Sequence, residues 1–157
     1  PGDLHWTAAG SGMLHEETPI PGGGVCEGLQ IFVDLPLAAK WMQPKVLHLD
    51  SADVPWRRQP GVDVRVVLGE HDQLVSPLAP PTALTLLEVS LQAGSVFRHS
   101  APSTETRLAY VLAGRLGIGV GGAVRIANAN EAIGFANDGD LLELTALEPA
   151  RFVLAGG

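Results

Sequence analysis

The sequence has 157 residues, 46% hydrophobic and 17% charged, with 19 Gly and 12 Pro; this is enough chain for one domain, or one and part of a second, around a real core. It excludes a disulfide-stapled miniprotein and a disordered tail. Seventeen acidic against ten basic side chains give a net charge of −7, and no basic run exceeds two residues, which disfavours direct nucleic-acid binding.

No apolar run approaches bilayer length and no basic-then-apolar leader opens the chain, so a soluble, cytoplasmic protein without membrane contact is expected. The single cysteine, Cys26, has no intrachain partner and reads as a free thiol. Pro1-Gly2-Asp3-Leu4 opens the chain without an initiator Met, as a turn feeding directly into a strand, as though reading began inside a domain. Leu29 to Leu35 predicts a strand, and Leu37 to Met42 the one short helix. The Pro-bearing stretch from Gln43 to Pro60 reads as a connector. Beyond it, Val62, Val64, Val66 and Leu68 alternate with Asp63, Arg65 and Val67 between Gly61 and Gly69, which predicts a half-buried strand. Ala83 to Leu91, Arg107 to Leu112, Leu116 to Val120, Ala123 to Ile126, Leu141 to Thr145 and Arg151 to Leu154 are further strands between Gly, Pro, Asn or Asp turns. Many short strands at close spacing predict an all-β sandwich or barrel. Two domains are expected, 1–60 and 61–157, and Trp6, Trp41 and Trp56 are expected in packed interiors.

His15 and Glu17 are spaced by two, which on a strand sends both side chains to one face. An imidazole nitrogen and a carboxylate oxygen so placed are half of a site for Fe(II), Mn or a similar ion, which needs further ligands and open positions. Without those ligands the two are solvated rim residues.

The run Pro1-Gly2-Asp3-Leu4-His5-Trp6, then Ala9-Gly10-Ser11-Gly12-Met13-Leu14-His15-Glu16-Glu17 and Gly28-Leu29-Gln30-Ile31-Phe32-Val33-Asp34-Leu35-Pro36, resembles the signature of the pirin family of bicupins. Gly61 to Glu70, Leu84 to Leu91, Tyr110-Val111-Leu112-Ala113-Gly114 and Gly139-Asp140 are similar to the pirin C-terminal cupin. The resemblance implies a cupin-type β-barrel or jelly roll, a pirin-like bicupin with an incomplete N-terminal barrel followed by a C-terminal barrel. It also implies one iron in the N-terminal barrel, held by three His and one Glu. His15 and Glu17 match the last two ligands; the first two form a His-x-His, and this sequence contains none. Either earlier strands are absent, or another chain supplies them, or the protein holds no metal.

The activity implied is that of a quercetin 2,3-dioxygenase acting on a flavonol-like aromatic substrate, with Glu17 both ligating and able to accept the substrate hydroxyl proton. The alternative is a non-catalytic, metal- or redox-responsive cupin that binds a protein partner. His5 is then a supporting residue near the cavity, His48 a packed or rim residue, and His71 a solvated loop residue. His99 falls where a cupin's first metal motif would lie, but position 101 is Ala, and the second barrel is expected to be metal-free. An open edge along Leu29 to Leu35 predicts a homo-oligomer.

Overall fold

The computed structural model describes residues 2–18, 22, 24, 25, 27–120, 123–137 and 139–157; Cys26 lies outside them. Among these residues the chain is all-β, with fourteen strands and two short 3₁₀ helices, and no helix is long and apolar enough to cross a membrane. The chain divides into one unit of Pro1–Asp53 with Pro80–Thr82 and another of Val54–Ala79 with Ala83–Gly157.

In the first unit, β1 (Leu4–Ala8) pairs antiparallel with β2 (Lys45–Leu49), placing His5 opposite His48. Strand alternation separates the faces: Leu4, Trp6, Ala8, Leu47 and Leu49 turn inward, while His5, Thr7, Val46 and His48 are exposed. After β1 the chain turns through Gly10, whose φ of +51° suits glycine. A Cβ there would stand 2.1 Å from the Met42 carbonyl oxygen, beside the Ser11 N–H bond to that same oxygen. Only a residue without a side chain permits that approach. The expected helix is a 3₁₀ turn, Leu37–Ala39, carried on by Lys40 and Met42 N–H bonds to Leu37 and Ala39.

Leu29 to Leu35 is not a strand. Leu29 and Ile31 are half exposed and Phe32 is 88% exposed, so β-forming side chains do not become a strand here without a backbone ladder to join.

The unit boundary falls at residues 53 and 54, not near residue 60, because the supposed connector contains β2 and then β3 (Trp56–Gln59). That strand pairs with β4 (Val62–Leu68) and so belongs to the second unit. The remaining strands there are β5 (Glu70–His71), β6 (Leu74–Val75), β7 (Thr85–Leu91), β8 (Val96–Ser100), β9 (Arg107–Ala113), β10 (Arg115–Val120), β11 (Ala123–Asn128), β12 (Ala132–Phe135), β13 (Leu141–Ala146) and β14 (Ala150–Gly156). A six-stranded sheet, β12-β9-β14-β7-β4-β3, accompanies a four-stranded one, β11-β10-β13-β8. Both contribute to one core: Val64, Val66, Leu87, Val89, Val111, Phe152 and Leu154 from the first, and Phe97, Leu116 and Leu144 from the second. The Phe97 and Phe152 rings meet edge to face at 5.5 Å, a favoured aromatic geometry.

Strand β4 departs from the half-buried expectation, since Arg65 and Val67 are buried as well. Arg65 tolerates burial because Glu88, directly across on β7, accepts its Nη1 hydrogen bond at 2.5 Å. Unpaired, that charge would be costly to desolvate. Gly114 makes the turn from β9 to β10 at φ +75°, where a Cβ would lie 2.1 Å from the Pro149 oxygen. Trp41 is 79% exposed, contrary to expectation, and Trp56 lies partly open beneath the guanidinium groups of Arg58 and Arg65, at 4.7 and 5.4 Å.

Candidate functional site

His15 and Glu17 lie in an exposed, irregular segment and not on a strand, so the same-face geometry expected of a strand pair is not formed there. Among the described residues no three His, Cys, Asp or Glu side chains converge closely enough to hold a metal ion. The pair therefore does not by itself fit the four-ligand iron site that the resemblance implies, and no chemistry follows from such an ion in these residues alone.

The second unit carries a different constellation. Strand β4 runs through Gly69 into the β5–β6 hairpin, whose central residues Asp72 and Gln73 have φ of +46° and +69°. Positive φ at both turn positions is the geometry of the tight hairpins whose twist matches that of paired strands. It carries His71 into the interior, 6% exposed, where the sequence reading places a solvated loop residue. The turn Asp72-Gln73 lacks the glycine of the usual two-residue hairpin signal, so little in the sequence marks this hairpin.

His99 enters from β8, also 6% exposed. The two Nδ1 atoms are 3.2 Å apart, so one ring donates its N–H to the other's lone pair. Phe97 stacks on both rings, at 5.4 and 6.3 Å. Burial lowers the His99 pKa to about 4, with smaller contributions from the charges of His71 and Arg107. Burial also lowers that of His71, against the opposing pull of Asp72. Both rings are neutral at pH 7. Arg107, itself buried, donates from Nη2 to the Gly139 carbonyl at 2.6 Å.

Beside His71 opens a cleft of about 290 Å³ whose polar lining is Arg57, Gln59, Asp72 and Arg98. The Asp72 carboxylate lies 3.8 Å from both Arg57 Nε and His71 Nε2. Such a cleft is at the small end for a ligand pocket, and the His71 imidazole, the Arg57 and Arg98 guanidinium groups and the Phe97 ring border it. Ala101 is buried at the position that would carry a second histidine of a cupin motif.

Residues 86–157 match the pirin C-terminal cupin domain. Human Pirin is 31% identical over 160 residues, 100% of this chain and 54% of that protein. Pirin-1 of Arabidopsis thaliana is 34% identical over 117 residues, 74% of this chain and 40% of that protein. The chain thus spans about half the length of the curated relatives it matches. The crystal structure of a quercetin 2,3-dioxygenase from Acinetobacter baumannii superposes with a TM-score of 0.86 at 26% identity, over 99% of this chain and 55% of that one.

Proposed function

Since the chain belongs to the pirin family and has the cupin fold, we propose that it serves an iron-dependent, quercetin 2,3-dioxygenase-type oxygenation of a flavonol-like substrate in the cytoplasm. His15 and Glu17 are then two of the metal ligands, the others coming from further residues or a second chain. Glu17 is the carboxylate able to take the substrate hydroxyl proton. The likeness to the Acinetobacter enzyme along almost the whole chain is the observation that carries this reading.

Elemental analysis and quercetin consumption test it together. The 157-residue chain alone is expected to hold far less than stoichiometric iron and to leave quercetin unchanged. A version extended by strands bearing a His-x-His is expected to gain both, and His15→Ala or Glu17→Ala in that version to lose at least about 10-fold in metal affinity. Turnover by the isolated chain, or iron retention by both variants, overturns the proposal.

A second reading is favoured by the exposure of Leu14, Phe32 and Trp41, apolar side chains suited to a protein interface. It is a non-catalytic, metal- or redox-responsive cupin that binds a protein partner or assembles as a homo-oligomer. Added Fe(II) leaving the Tm unchanged, together with an oligomer mass in light scattering, supports it. A monomer whose Tm rises with Fe(II) counts against it.

A further inference from the structure

The two sheets of the second unit each end in an edge strand on the same cleft, β3 in the six-stranded sheet and β8 in the four-stranded one. Val62 and Val64 of β4 and His71-Asp72 of the β5–β6 hairpin add to its lining. Strand register explains the polar groups. Arg57 stands opposite Val64 and Gln59 opposite Val62, and directly opposed residues share a face of the sheet. The face that holds core valines on β4 therefore presents a guanidinium and an amide on β3, where the sheet ends at the cleft.

Two arginines reach the cleft from different strands. Arg98 Nε donates to Glu143 Oε2 at 2.8 Å, and Arg57 Nε stands 3.8 Å from Asp72 Oδ2. Carboxylates thus engage both guanidinium groups through Nε, and the Nη groups of both have no partner among the described residues. Asp72 is the one carboxylate in the lining. At 3.8 Å from both Arg57 and His71 it is beyond hydrogen-bond length, so it orients these groups without saturating them. His71 is neutral because burial lowers its pKa. The lining thus holds two positive charges against one negative, in a chain whose net charge is −7. Asp72 beside His71 Nε2 favours the tautomer with hydrogen on that nitrogen, so His99 is the donor between the two Nδ1 atoms and His71 keeps an N–H toward Asp72.

The rest of the lining is apolar: Val62, Val64, Val96 and Phe97. Guanidinium Nη groups match the two oxygens of a carboxylate, and apolar walls favour a ligand body that sheds water. A single negative charge suits a lining that already holds Asp72, whereas a dianion meets stronger repulsion from that carboxylate. We propose that this cleft binds a small monocarboxylate with a compact apolar body, its oxygens on the Nη groups of Arg57 and Arg98 and its body against Val96 and Phe97. At about 290 Å³, just under the range for drug-sized ligands, the space suits an anion of benzoate size. The site lies within the second unit, uses neither His15 nor Glu17 and stands apart from the flavonol reading.

Titration of sodium benzoate into the 157-residue chain, followed by ¹H–¹⁵N spectra, tests it. Expected are saturable shifts at Arg57, His71 and Arg98, and affinity at least about 10-fold weaker for benzamide, which keeps the body and lacks the charge. Arg57→Gln and Arg98→Gln are each expected to weaken benzoate binding at least about 10-fold. Arg125→Gln, at an exposed arginine of β11 outside the cleft, is expected to bind as the parent does. Circular dichroism checks that each variant stays folded, and the benzamide comparison needs no variant. Absence of saturation, or benzamide or inorganic phosphate binding as tightly as benzoate, overturns the proposal. So does unchanged affinity in either cleft variant, or equal weakening in Arg125→Gln.

Discussion

Two histidine pairs of nearly equal spacing, 3.3 Å for His5 and His48 and 3.2 Å for His71 and His99, sit in opposite surroundings. The first lies on the outer face of a two-stranded sheet, with carboxylates nearby and water in front. The second is enclosed by Phe97 and the strands of a larger core. Identical chemistry is thereby divided. Burial makes the inner pair neutral and commits it to internal hydrogen bonding, while the outer pair stays in contact with water. What a histidine pair can do is set by the layer of protein around it more than by the distance between its nitrogens.

The contrast can be broken most severely at the core that encloses the inner pair. Phe152→Ala removes a fully buried ring packed on Phe97 and is expected to cost about 3–5 kcal/mol, read as a lowered urea midpoint. Acid gives the next largest effect. His99 titrates at about 4 when folded, against the ordinary 6.5, so between these values the unfolded chain binds more protons than the native one. The contribution is fully present above pH 6.5 and is lost as pH falls toward 4, amounting to on the order of 3 kcal/mol. His71 adds to the loss, since its pKa is lowered too. Urea midpoints at pH 7 and 4.5 should show the drop, and His99→Asn should flatten it. An equal slope in that variant would mean that the inner pair is not shielded as described.

Glu88→Ala strips the buried Arg65 of its carboxylate partner and should destabilise the second unit by about 2–3 kcal/mol, measured by the same unfolding curves. At the small end, His5→Gln and His48→Gln should move stability by no more than about 0.5 kcal/mol. A loss comparable with that of Phe152→Ala would show that the outer pair is structural, erasing the contrast with the inner one.

The strands of the second unit were legible because alternation and turn residues are local signals. Val62 to Leu68, the run ending at Leu91 and the run around Arg151 to Leu154 all became strands. Where the reading failed, the missing quantity was non-local. Leu29 to Leu35 has strand-forming side chains but no neighbouring ladder among the described residues, and Trp56 to Gln59, read as a connector, found its partner in β4. The family resemblance was carried by the opening motif, yet His15 and Glu17 lie on an exposed segment. The histidines that do meet were each read singly, because 43 residues separate one pair and 28 the other.

By itself, then, the sequence determined an all-β chain and the positions of most second-unit strands, since side-chain period and turn chemistry act over a few residues, while its motifs carried the resemblance to the pirin family and its cupin fold. Tertiary structure alone decided which histidines face each other and which of them meet water. Those outcomes depend on strand register and on the layers packed above it, and a one-residue slip in register would send every such side chain to the opposite face.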